Sequence, residues 1–274
     1  MKEIKTYFLI FLFSALWFPI SAQENVNEHL IQIAKTHAEI IFSKENPHDF
    51  KVVHNYGTSA VVSLIYTSPS IEGEWIKVKS LLSNGYLYLR KENEQWQVTG
   101  QTGALQTGIR MTGDYMRAHT LKELIEKKEY KMPEYRIKRM RSQYILATSL
   151  DSQLIAHFNK NKPHFEVIKI TLKNLSPREK TRYGAEQFSK KGILKDFNKA
   201  LIGYVDYVVL PDEISENTGC REQNCFTLTL AFSPPFYKVG YFYMEDPERV
   251  PQMNKREYLV VYPLGNGWYF FRLN

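Results

Sequence analysis

The chain has 274 residues, 43% hydrophobic and 24% charged, with a formal net charge of +7. These are the proportions of a folded globular protein, and beyond residue 22 no stretch approaches the ~20 apolar residues of a membrane-spanning helix. The two cysteines cannot complete a four-ligand zinc site.

The chain opens with Lys2 and Lys5 and runs through Tyr7-Phe8-Leu9-Ile10-Phe11-Leu12-Phe13 to Leu16-Trp17-Phe18. It then breaks at Pro19 before Ser21-Ala22-Gln23. A charged start, a short apolar run and a small-residue junction make a secretory signal. Cleavage is expected after Ala22. The Ala-Gln-Glu junction resembles bacterial export signals, and no Cys stands there to accept a lipid. The expectation is a signal peptide over 1–22 and a periplasmic or secreted protein with no transmembrane segment after cleavage. The competing reading is an uncleaved N-terminal anchor.

Val26, Leu30, Ile33, Ala34, His37, Ile40 and Ile41 recur at helical spacing, predicting an amphipathic helix over about 26–44, ahead of Asn46-Pro47. Strands are predicted over 60–66 and 75–82. Asn84-Gly85 reads as a two-residue hairpin turn, because both positions tolerate positive φ. Tyr86-Leu87-Tyr88-Leu89-Arg90 returns from it, and Trp96-Gln97-Val98 follows the polar Lys91–Glu94. Helix, antiparallel meander and late Trp-bearing strand together resemble the NTF2-like or cystatin-like class of exported domains. That resemblance implies a helix packed on a curved antiparallel sheet and, in the NTF2-like case, a pocket able to take a small ligand.

Residues 114–175 read as helical. Tyr115–Glu129 carries Leu121, Leu124 and Ile125 on one face; Leu150–His157 forms a second segment; Pro163 reads as a helix start ahead of Phe165, Ile168, Leu172 and Leu175. His157 and His164 then flank a basic Lys160/Lys162 turn. Ser176-Pro177-Arg178-Glu179 has the pattern of a capping box opening a helix to about Lys191. The basic excess is concentrated here: residues 117–200 hold 20 basic and 9 acidic side chains, against 8 and 10 over 23–116 and 6 and 9 over 201–274. Its densest part contains Lys127, Lys128, Lys131, Arg136, Lys138, Arg139 and Arg141. These are the candidate partner-binding residues, because clustered cations concentrate anionic partners; the competing reading is a solvated helix face paired with Glu123, Glu126, Glu129 and Glu134.

From Tyr204 strands are predicted over 204–210, 226–232, 239–244, 258–262 and 268–271. Thr227 and Thr229 alternate with Leu228 and Leu230, predicting one wet face on that strand. Consecutive aromatics, Tyr241-Phe242-Tyr243 and Trp268-Tyr269-Phe270-Phe271, cannot all face one core. Some must pack on a second face or line a partner surface. Cys220 and Cys225 are expected to form a local disulfide in an oxidising compartment. The Gly240-Tyr-Phe-Tyr and Gly267-Trp-Tyr endings resemble bacterial envelope proteins of no assigned activity.

The expected architecture is α+β. A helix on a curved antiparallel sheet fills 23–112, a basic helical connector 113–145, and a second antiparallel sheet lies in a C-terminal α+β domain over 146–274. No catalytic residue, metal ligand or cofactor is assigned: there is no H-E-x-x-H and no phosphate-binding glycine loop, and Gly57-Thr58-Ser59-Ala60 lacks the second glycine of a nucleophile elbow. The function expected is non-enzymatic binding in the bacterial envelope. The partner would be an envelope protein, including a toxin to be neutralised, or an anionic glycan or lipid head group, with nucleic acid excluded by compartment. The competing class is a hydrolase or small-ligand-binding protein with an NTF2-like pocket, using His54 or a loop acid as base.

Overall fold

In the computed structural model, residues 24–42, 45–73, 76–78, 80–103, 107–126, 132–175, 183–184, 192–206, 225–233, 237–254 and 258–273 are described. The chain divides into two units, one of residues 1–66 and 85–101, the other of 67–84 and 102–274. Each is α+β, and the two main sheets are antiparallel.

In the first unit α1 (24–41) packs on a sheet ordered β1-β2-β5-β6, formed by β1 (His48–Asn55), β2 (Ser59–Ser68), β5 (Leu81–Glu92) and β6 (Gln95–Gly103). Leu30, Ala34, Ala38 and Phe42, each four residues after the last, face Ala60, Val62, Leu64, Tyr66, Leu87 and Leu89. The buried stripe is narrower than the sequence pattern. Val26, Ile40 and Ile41 are exposed. The sequence reading also overlooked β1, which lacks a continuous apolar run.

Asn84-Gly85 is not a turn. Both residues lie inside β5, and the hairpin turn falls instead at Asn93-Glu94, which has φ of 48° and 64°. Two tertiary contacts override the local preference. A Cβ on Gly85 would lie 3.2 Å from the Tyr66 ring, so glycine lets that ring cover the strand. The Asn84 Oδ1 accepts the Asp151 N–H at 2.9 Å, capping a helix 67 positions later. The same dipeptide does turn the chain at Asn266-Gly267, with φ of 55° and 77°. The short hairpin β3 (Ile71–Gly73) and β4 (Ile76–Val78) belongs to the second unit.

Four helices open the main part of the second unit: α2 (Thr107–Ala118), α3 (Leu121–Glu126), α4 (Glu134–Ala147) and α5 (Asp151–Lys173). The single helix expected over 115–129 is broken by a capping box, in which Thr120 N–H donates to Glu123 and Glu123 N–H donates to the Thr120 hydroxyl at 3.2 Å. Pro163 does not start a helix but sits inside α5. It and Asn159, whose carbonyl loses its partner, are exposed, so water can take the missing hydrogen bond. Tyr183–Gly184, placed by the sequence reading in a helix to Lys191, forms β7 and pairs with Tyr204 and Val205. The proposed cap at Ser176–Glu179 lies outside the described residues.

The second sheet has the order β11-β12-β10-β9-β8-β7, with β8 (Tyr204–Asp206), β9 (Cys225–Ser233), β10 (Tyr237–Met244), β11 (Tyr258–Gly265) and β12 (Trp268–Leu273). Tyr241 and Trp268 on one face meet Phe158 and Phe165 of α5, with ring centroids 4.9 Å apart for Phe165–Tyr241 and 5.5 Å for Phe165–Trp268, and Phe226 packs on Trp268. Phe242 and Phe271 are buried on the other face. Alternation thus divides the consecutive aromatics between two covered faces. For the same reason Thr227 and Thr229 are not wet: both are 3% exposed, and the Thr227 hydroxyl donates to the Asp206 carbonyl.

Arg272 joins this sheet to the helices. It is 1% exposed; its Nη1 and Nη2 donate to the Ala147 and Ser149 carbonyls, each at 2.8 Å, and its Nε donates to Asp151 at 3.0 Å. One planar guanidinium therefore terminates α4 and anchors the first residue of α5.

Candidate functional site: a cationic face on three helices

Of the seven basic residues singled out in the sequence, four are described. Lys127, Lys128 and Lys131 lie outside the described residues. The other four are on α4 but point in different directions, since each residue advances about 100° around a helix. Arg141 Nε donates to the His119 carbonyl at 3.3 Å, Arg139 Nη1 donates to Asn198 Oδ1 at 3.1 Å, and Arg136 Nε donates to the neighbouring Tyr135 hydroxyl. Arg136 and Lys138 are exposed.

The Arg139 contact leads to a different cluster. Its acceptor belongs to α6 (Leu194–Lys199), whose other flank is tied to α5 by His164 Nδ1 and Asp196 Oδ1 at 2.7 Å. Phe197 is fully buried beneath α6. Lys195 and Lys199, spaced i,i+4, take the opposite side and are exposed. On α5, Lys160 lies one turn before His164 and is exposed as well. Lys160, Lys195 and Lys199 make no ion pair with any described residue, while Asp196, the carboxylate of α6, is occupied by His164. Lys195 and Lys199 thus lie on α6 between its contacts with Arg139 of α4 and His164 of α5, with Arg136 one turn before Arg139 and Lys160 one turn before His164. Sequence reasoning missed α6, although the i,i+4 lysines opposite a phenylalanine carried the signal.

His157 and His164 do not border a turn; both are on α5. His157 points inward, where its ring lies against Tyr241. The Tyr241 hydroxyl donates to the Leu154 carbonyl at 2.9 Å and therefore accepts from His157 Nδ1 at 3.1 Å. This leaves Nε2 as a lone pair, enclosed and without a partner. Burial, reinforced by Lys160, lowers the His157 pKa to about 4, so the ring is neutral near pH 7. Burial also raises the Tyr241 phenol far above its usual range, and the smaller opposing influence is Arg272.

Several other described charged groups are paired within the scaffold. Asp114 pairs with Arg117 at 3.0 Å and lies 3.7 Å from Arg110, whose Nη2 donates to the Pro69 carbonyl. Asp246 accepts from the Glu248 N–H and pairs with Arg249, and Glu245 pairs with Lys173. His54, the base considered for a hydrolase, is stacked on Tyr56 in the first unit. Among the described residues no group of three or more His, Cys, Asp or Glu is placed to hold a metal ion, and no helix is long and apolar enough to cross a membrane. Cys225 begins β9 and is not a free thiol, while Cys220 lies outside the described residues.

No protein-family model matches the chain, and no curated protein or solved structure matches it either.

Proposed function

We propose that the chain is an exported, non-enzymatic binding protein of the bacterial envelope, which holds an anionic partner on the face formed by α4, α5 and α6. The observation that carries this reading is the group of exposed Lys160, Lys195 and Lys199, none neutralised by a described acidic neighbour. Such a surface raises the local concentration of anions and acts most strongly at low ionic strength, since exposed charges are screened beyond about 8 Å at physiological salt. Export rests on the N-terminal signal pattern and agrees with a Cys220–Cys225 disulfide, which the bonded state of Cys225 supports. The NTF2-like or cystatin-like reading of the first unit rests on the resemblance of its sequence pattern.

Binding of the purified protein to immobilised heparin, followed as a function of salt, tests the proposal. Retention should fall steeply with ionic strength, and Lys195→Glu with Lys199→Glu should weaken it at least tenfold with an unchanged Tm, because exposed substitutions alter stability by only about 0.5 kcal/mol. Salt-independent binding, or indifference to the two reversals, would overturn it. Cell fractionation and mass spectrometry of non-reduced peptides test export and the disulfide separately.

A further inference from the structure

The cationic face borders an apolar one. On the outer side of α5, Val167 is 42% exposed and Ile170 is 59% exposed. They follow exposed Pro163 at helical spacing, on the side away from Phe158, Phe165 and Leu172, which are buried against the sheet. Lys160 lies two turns before Val167 on that same exposed side, and His164, one turn before Ile168, holds α6 with Lys195 and Lys199 alongside. Aliphatic side chains thus project from the helix that the lysines border.

A soluble polyanion would engage the lysines and leave Val167 and Ile170 in water. A bilayer surface uses both, because head-group phosphates meet the lysines while short aliphatic side chains enter the boundary with the acyl chains. We propose that this face docks reversibly on a membrane surface rich in anionic phospholipid head groups, with Val167 and Ile170 as the inserted side chains. The inference rests on the anionic-partner reading above and narrows it to a lipid surface. Two aliphatics and a few lysines make a weak attachment. Each lysine near an anionic leaflet contributes about fivefold in affinity, so binding should depend on charge and on insertion together.

The test uses the chain from Gln23 onward, co-sedimented with vesicles of phosphatidylglycerol and phosphatidylcholine, with phosphatidylcholine alone, and compared with binding to heparin. Binding is expected to the phosphatidylglycerol vesicles and not to the neutral ones. Val167→Ser with Ile170→Ser should lower vesicle binding several-fold and leave heparin binding unchanged. Lys195→Glu with Lys199→Glu should lower both, and the milder Lys195→Gln with Lys199→Gln should follow in the same direction. If heparin binding needs the lysines but vesicles are ignored, or are bound regardless of Val167 and Ile170, the membrane proposal fails and the anionic-partner reading stands. If the lysine variants change neither, both fail.

Discussion

Replacing His157 by Gln should flatten the acid side of the protein's stability profile. Burial, with a smaller contribution from Lys160, holds the folded-state pKa at about 4, against about 6.5 in an unfolded chain. Between those values the unfolded chain binds a proton that the folded protein does not, so stability is intact above pH 6.5 and declines as the pH falls towards 4. Carried to pH 5, this linkage amounts to about 2 kcal/mol, at 1.36 kcal/mol per pKa unit. Gln remains neutral throughout and keeps a donor for the Tyr241 hydroxyl, so His157→Gln removes the linkage without leaving that oxygen bare. Urea denaturation of both proteins at pH 7.5 and pH 5 measures the difference, because contributions from the carboxylates are common to the pair. The wild type should lose about 2 kcal/mol more than the variant. Parallel losses, or an imidazole that titrates near 6.5 by NMR in the folded protein, would refute the reasoning.

Arg272→Ala should cost about 3–5 kcal/mol in chemical denaturation, since it takes the donor from the Ala147 and Ser149 carbonyls and removes the cation beside Asp151. Arg272→Lys should recover little of this, because an ammonium cannot reproduce the planar fork. Asn84→Ala should lower stability by about 1 kcal/mol through the lost cap on α5. Gly240→Ala should cost about 3 kcal/mol or more in Tm-monitored unfolding, since the new Cβ would lie 2.2 Å from the Leu228 carbonyl oxygen. At Gly57, where nothing lies within 4 Å, Ala meets only the backbone strain of a φ of +83° and should be milder.

The C-terminal strands were legible because each is a run of β-branched and aromatic residues between turn signals, and their order of appearance matches β8 to β12. The helical nature of 114–175 was equally plain. What the sequence concealed was contact across distance. Asn84-Gly85 has the same local preference as Asn266-Gly267, and only the Asp151 amide and the Tyr66 ring separate their fates. Thr227 and Thr229 look like surface residues until the second face of the sheet is seen to be covered. The candidate site shows the same limit. The basic run around α4 is dense in sequence, yet helical geometry turns its side chains apart. The candidate lysines come instead from positions 160, 195 and 199, on helices joined by Arg139–Asn198 and His164–Asp196.

The placement of β12 governs when the second unit can become whole. It lies between β11 and β10, and it carries the guanidinium that closes the junction of α4 and α5, 121 positions earlier at Asp151. A chain emerging from the ribosome would expose helices and β10 well before Trp268–Leu273 arrives to cover them. Until then the Ala147 and Ser149 carbonyls lack the Arg272 donors, and Phe158 and Phe165 lack Trp268. Completion therefore waits on sequence-distant pairing, which is intrinsically slow. During that interval the unfinished unit presents an unpaired strand edge and an uncovered aromatic surface, and this is when a holding chaperone would find its substrate.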